Sequence, residues 1–332
     1  MLRRLEPAEI NEVLNSNFKI WSPGLSRDRY RHYQWWQLDH SWGRRHLEYW
    51  GYFNDAAKLV ASCKRYIFEY CARGKSFHVA GIGAVYVPEE HRGHDYARQM
   101  LDQLADYCMD EGVDAMALNS DIDPDYYAEL GFQLFDAKVF SLNLSEAWLN
   151  SAIDKMLQIS DPDLDESFNV RAIQLEDFDE MSRHHGRWLG SRPYGLRRTP
   201  DYYRYKVGRE LYLFQHSSLN WPKLEIITDN FGEFVGGYAL LEQAGAYLRV
   251  LEVVGSERVF NSLWSQILRL AQRRRIKTLR GWEVVRPPLK ELKLQNRDWS
   301  FPMICPLQEE LEEQLLSWAE HSPPTILELD HF

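Results

Sequence analysis

Arg92, Gly93, His94 and Asp95 lie between an apolar run, "SFHVAGIGAVYVP", and an amphipathic one, "DYARQMLDQLADYCMDEG". A strand that passes through a basic, glycine-bearing turn into a helix is a common anion holder. The first backbone N–H groups of a helix have no internal partner and carry the positive end of its dipole. Other reactive side chains are less organised. His184 and His185 have no third ligand at metal spacing, so no metal is expected. Cys63, Cys71, Cys108 and Cys305 show no CxxC spacing and read as free thiols of a reducing compartment. "QRRRIK" at 272–277 reads as a solvated helix end, not a nucleic-acid patch.

The elements around the turn can be read from periodicity. "LEYWGYFNDAAKLVASCKRYIFEYC" gives two strands joined at Asn54–Asp55, and "SFHVAGIGAVYVP" a central strand buried on both faces. The helix after the turn places Ala97, Met100, Leu101, Leu104 and Tyr107 on one stripe and stops at Gly112. "DAMALNS" then reads as a strand, "PDYYAELG" as a short helix and "FQLFDAKVFSLNL" as a final strand or pair. The acidic "SDPDLDES" lacks periodicity and marks a linker, 151–168, between an N-terminal domain, 1–150, and a C-terminal domain, 169–332. The second domain repeats the order: "FNVRAI" and a helix, a hairpin series ending in "VLEVVG", a helix from "SERVFNSLWSQ", then "KTLRGWEV" and "PPLKELKLQN" as strand and helix.

Composition limits the class. A chain of 332 residues is too long for one ordinary core, and 45% hydrophobic with 27% charged residues describes a soluble globular protein. Its net charge of −10 argues against a nucleic-acid binder, whose affinity rests on clustered Lys and Arg. No apolar run of about 18 residues is present to span a membrane, and "MLRRLEPAEINEVL" has no signal-like core, so a cytoplasmic protein is expected. "RYRHYQWWQLDHSWGRRHLEYW" is crowded with aromatic and basic groups. Its Trp35 and Trp36 read as packing between helices, while an aromatic wall with Asp39 and His40 suits a cationic amine.

"IGAVYVPEEHRGHDYARQML" followed by "YYAELGF" resembles the GNAT (acyl-CoA N-acyltransferase) superfamily, whose signature is a strand ending in V-x-P, an Arg-Gly turn and a helix, then a Tyr four residues before Gly-Phe. The resemblance implies an α+β (mixed α/β) class with tandem GNAT folds, each a mostly antiparallel mixed sheet flanked by helices. It also implies acetyl-CoA as co-substrate, an N-acetyltransferase reaction and a small-molecule amine as acceptor, lysine or another amino acid being candidates. The anion would be the cofactor's pyrophosphate, held by Arg92, Gly93, His94, Asp95, Tyr96 and Ala97, with Val85, Tyr86 and Val87 along the pantetheine arm. Where the family has its central glycine, this chain has Asp95, which either opposes the phosphates or turns outward to cap the helix. Tyr127 aligns with the tyrosine beside the CoA sulfur, a general acid that at a pKa of about 10 donates at pH 7 without tuning.

The base is open. Histone-type members carry a glutamate where this chain has Val79, and alternation sends the adjacent His78 to the other face. The wording of residues 50–142 resembles fungal lysine N6-acetyltransferases, and the overall plan resembles the mycobacterial enhanced-intracellular-survival acetyltransferases. In the second group a terminal carboxylate, also on a phenylalanine, reaches the active site. Phe332 of "SPPTILELDHF" is therefore the candidate catalytic carboxylate, with Asp39, His40 or solvent as substitutes. The C-terminal domain has Arg258 but no glycine pair after "VLEVVG", so it is expected to wall the cleft and not to bind a second CoA. The alternative is a GNAT-shaped protein that has lost catalysis and senses CoA or a metabolite.

Overall fold

A computed structural model describes residues 1–72, 74–135, 137–192, 194–229, 236–289, 292–309 and 311–313. The chain opens with β1 (Leu2–Arg4), α1 (Pro7–Trp21), α2 (Arg27–Asp39), α3 (Gly43–His46), β2 (Leu47–Phe53), β3 (Leu59–Ala72) and β4 (Lys75–Tyr86). After the Arg92 turn come α4 (Tyr96–Asp110), β5 (Ala115–Ser120), α5 (Asp125–Ala128), β6 (Gln133–Leu134) and β7 (Lys138–Asn143). The stretch expected as a linker is largely helical, with α6 (Glu146–Leu157) and α7 (Pro162–Ser167). Asp161 caps α7, accepting from the N–H groups of Asp163 and Leu164 at 2.9 and 3.4 Å.

The remainder is β8 (Phe168–Ala172), α8 (Asp177–Leu189), β9 (Tyr194–Leu196), α9 (Pro200–His216), β10 (Lys223–Asp229), β11 (Gly237–Ala244) and β12 (Tyr247–Gly255). Then follow α10 (Glu257–Arg273), β13 (Thr278–Trp282), β14 (Leu294–Asn296) and β15 (Phe301–Pro306). The helix expected in "PPLKELKLQN" is absent from its described residues. They end instead in β14, where Leu294 pairs antiparallel with Phe140 and packs on the core.

Two mixed sheets result, in the order β1-β2-β3-β4-β5-β15-β6, with β9 also on β3, and β14-β7-β13-β12-β11-β10-β8. Among the described residues each sheet has one parallel pair, β4–β5 and β12–β13, bridged by α4 and α10. A parallel pair cannot be joined by a tight turn and needs such a crossover. Met100, Leu101, Leu104 and Cys108 of α4 are buried on the first sheet, and Trp264, Ile267 and Leu268 of α10 in the second core. No helix among the described residues is long and apolar enough to cross a membrane.

The sheets do not divide at 151–168. β7, which precedes that stretch, pairs with β13 and β14, whereas β15 inserts between β5 and β6. An uncovered β5 would leave a flat apolar edge open to association. β15 covers it from Ala115 to Ser120 and buries Met303 and Ile304. A fragment ending at residue 150 loses this cover and strands β7 from its partners. It is therefore expected to show no cooperative melting transition by calorimetry under conditions where the whole chain melts cooperatively.

Candidate active site

β4 is paired on both sides only from Val79 to Gly81. Its parallel register with β5 ends at Gly81 opposite Ala117, beyond which the two strands part. On the other side Lys64 pairs with Gly83 and Ser62 with Tyr86, so Ala84 and Val85 together face Cys63. This is a β-bulge, and Ala84 takes a φ of +50°, unusual for a residue with a Cβ. Ile82, Gly83, Ala84 and Val85 form one wall of a cavity of about 750 Å³. Tyr86 sends its side chain elsewhere. Its ring packs on Trp21 with centroids 5.9 Å apart, and its hydroxyl donates to the Ser16 carbonyl at 3.3 Å.

The turn is open to solvent: Arg92, Gly93, His94 and Asp95 are all exposed. Arg92 Nε donates to the carbonyl of Val87 at 3.3 Å, which ties the guanidinium to the end of β4. Gly93 has a φ of +79°, with open space where a side chain would stand. Asp95 is the N-cap of α4 at φ +57°, yet its carboxylate makes no capping hydrogen bond. Of the two expected roles for Asp95, the helix cap is thus excluded. The left-handed conformation explains the family's glycine, and Asp is among the residues that tolerate it. Tyr96 and Ala97 begin a helix whose first turn carries no acidic residue, so its N–H groups face solvent without a capping carboxylate.

Tyr127 on α5 is buried and lines the same cavity as the bulge. Burial pushes its pKa up to about 12, so it keeps its proton at neutral pH. Asp121, just beyond β5, also lines the cavity and adds to the rise at Tyr127. Asp121 is exposed as a residue, and partial desolvation of its carboxyl raises its pKa against a hydrogen bond from the Ser300 backbone. The sequence reading missed Asp121, although the "NSDID" that follows an apolar strand places acids at a strand end, where sites form.

The inner end of the cavity is polar. Alternation along β3 turns Arg65 toward α4, where it bridges Glu48 and Glu111 at 2.7 Å each, and turns Lys64 and Tyr66 into the cavity. Lys64 Nζ donates to Gln34 Oε1 at 2.7 Å, and Arg209 of α9 donates from Nε to the Tyr33 hydroxyl at 3.2 Å. Burial, with Arg209 nearby, holds the Lys64 pKa well below its ordinary value. Trp36 stacks on Tyr205 at 6.3 Å and Trp35 donates to Asn11 at 3.0 Å, which makes both packing groups. Asp39 and His40 are not among the cavity's lining residues, and Val79 is buried. Phe332 lies outside the described residues.

Residues 2–135 match the family model for the acetyltransferase (GNAT) domain. This part of the chain is a GNAT acetyltransferase domain. It is similar to a lysine acetyltransferase of Yarrowia lipolytica, 34% identical over 105 residues, which are 30% of this chain and 27% of the relative. The match thus spans just over a quarter of that relative's length.

Among solved structures, a GCN5-related N-acetyltransferase from Anabaena variabilis superposes with a TM-score of 0.65 at 14% identity, covering 93% of this chain and 73% of that one. Eis1 from Mycobacterium abscessus gives 0.60 at 12% identity, covering 94% and 75%. At such identities the likeness concerns the fold, and its coverage includes both sheets, consistent with tandem GNAT folds. Because Asp95 holds a left-handed conformation without capping, Asp95→Gly is expected to leave the Tm unchanged or raise stability by about 1 kcal/mol. Thermal unfolding checks this, and a lower Tm would show that the carboxylate supports the helix end.

Proposed function

We propose that the protein is an acetyl-CoA-dependent N-acetyltransferase that acetylates the primary amine of a small molecule. Lysine is the first acceptor to test, given the name of the Yarrowia relative. The observation that supports this reading best is one cavity that joins the bulge at Ala84, Tyr127 and Asp121 to an inner polar chamber. Outside it, the open turn from Arg92 to Ala97 offers uncapped helix N–H groups and a guanidinium, a donor set that fits a pyrophosphate.

The cofactor supplies the acetyl thioester. This chain's residues supply the proton handling. Asp121, whose pKa is raised above the ordinary carboxylate value, takes a proton from the incoming ammonium directly or through water. Backbone donors freed where β4 leaves β5 stabilise the developing oxyanion. Tyr127, held protonated, donates to the departing thiolate.

Thiol release from acetyl-CoA over a panel of small amines tests the activity. Turnover is expected; CoA binding with no turnover on any amine would favour the sensor alternative. Arg92→Ala is expected to weaken acetyl-CoA by about 1–3 kcal/mol, measured by calorimetry. For Asp121 the carboxylate is the active form, so kcat/KM should rise as pH climbs through the raised pKa and level off above it. Asp121→Asn should remove that limb and lower kcat by roughly 10²-fold. A retained acid limb in the variant would assign the base elsewhere.

A further inference from the structure

Two basic side chains face the inner cavity, and among the described residues neither forms a salt bridge, Glu210 being the carboxylate whose charge Arg209 feels. Lys64 is 8% exposed, donates among the described residues to the neutral Gln34 and holds its Nζ 5.4 Å from the Tyr49 ring centre; burial and Arg209 favour its uncharged form, which an incoming anion would recharge. Arg209 touches the Tyr33 hydroxyl, and its Nη1 is buried with no hydrogen-bond partner among the described residues. The phenols around them, Tyr33, Tyr49, Tyr66 and Tyr205, are pushed by burial away from ionising, so none supplies a negative charge at neutral pH.

The cavity's own carboxylates are otherwise engaged. Glu210 accepts from Trp221 Nε1 at 3.0 Å, Glu242 accepts from Arg249 Nε at 2.8 Å, and Asp121 stands at the end of β5. Lys206 adds a further cation to the wall. Buried cations are normally paired, because leaving water without a counter-charge is unfavourable. Among the described residues no carboxylate closes this pair, which leaves it open to an anion.

We propose that Arg209 and Lys64 form a carboxylate subsite, so that the acceptor is an amine that also bears a carboxylate, as an amino acid does. This rests on the transferase reading of the same cavity. Lys64 is the cross-strand partner of Gly83, beside the bulge at Ala84. Antiparallel partners lie about 4.5–5.5 Å apart at Cα, which sets the subsite in the chamber where the amine must react. The arginine fork matches a carboxylate with two parallel hydrogen bonds. The same charges repel acceptors that are polycations and carry no anion.

Acceptor pairs that differ only in the carboxylate test this with the full chain: lysine against cadaverine, ornithine against putrescine, phenylalanine against phenethylamine. For the pair that turns over, kcat/KM is expected to favour the amino acid by at least about 10²-fold, as for sites built around a polar group. Equal rates within that pair, or preference for the diamine, overturns the proposal. Arg209→Met should raise KM for the amino acid and leave the plain amine little changed, with partial recovery in Arg209→Lys. If Arg209→Met weakens acetyl-CoA and not the acceptor, the anion is a cofactor phosphate and the proposal fails. Absence of turnover with every amine defeats the transferase reading instead. The subsite is then judged by calorimetry with norleucine and its amide: norleucine alone binding, and only with Arg209 present, supports it, and any other result overturns it.

Discussion

The parting of β4 from β5 beyond Gly81 is the constraint on which the rest of the site depends. Two parallel strands tied at one end by α4 would pair along their length if nothing intervened. The bulge at Ala84 bends β4 away, at the cost of a left-handed residue that carries a side chain. Opening the sheet in its middle removes pairing from the upper half of β5. That loss is offset on the far side, where Leu118, Asn119 and Ser120 pair with Met303, Pro302 and Phe301 of β15. The last strand of the second half thus holds one jaw of the first half's cleft. Exchange of strands between the sheets is part of what keeps the cleft open.

Adjacent residues of β3 show how one strand serves both stability and the site. Arg65 is buried and satisfied by Glu48 and Glu111, so it fastens α4 and has no charge to spare. Lys64, next in the chain and turned to the opposite face, is also buried, but its hydrogen bond goes to an amide, its Nζ lies by an aromatic ring, and its charged neighbour is Arg209. The difference is that carboxylates reach Arg65, whereas among the described residues none pairs with Lys64. A similar contrast separates the two ends of the site. At the turn, N–H groups and Arg92 are exposed and exchange water for an anion at little cost, whereas in the chamber the cations are already desolvated. Interactions made in the chamber are therefore stronger and more selective than those made at the turn.

Much of the fold was legible because it rests on local pattern. The alternation of β2 and β3, the apolar β4, the stripe of α4 and its stop at Gly112 all appear where periodicity places them. The strand, turn and helix around Arg92 were legible from pattern, whereas Tyr127 was singled out by the resemblance and lies in the cavity wall. What escaped depends on partners distant in sequence. Nothing in "FPMICP" shows that it pairs with residues 115–120 and not with its neighbours, and the helical reading of "PPLKELKLQN" gave way to pairing with β7. Asp161 in an acidic run looked like linker chemistry, although it is an N-cap. Arg209 lies in a helix rich in aromatic and charged residues, and only the packing of α9 against α2 turns it inward.

Asp95 shows why a departure from a family pattern must be read in backbone terms. A glycine there serves a left-handed φ and leaves room for phosphates; Asp keeps the first property and alters the second. Its carboxylate caps nothing, so the helix N–H groups remain available, yet it adds a negative charge beside them. The charge is exposed and screened by solvent, which reduces its repulsion, while Arg92 and the helix dipole attract from the same turn. In the proposed site a guanidinium and several oriented N–H groups stand against one solvated carboxylate. On the proposed reading the substitution weakens the anion site at the turn and places more of the ligand selection in the chamber between β3, α2 and α9.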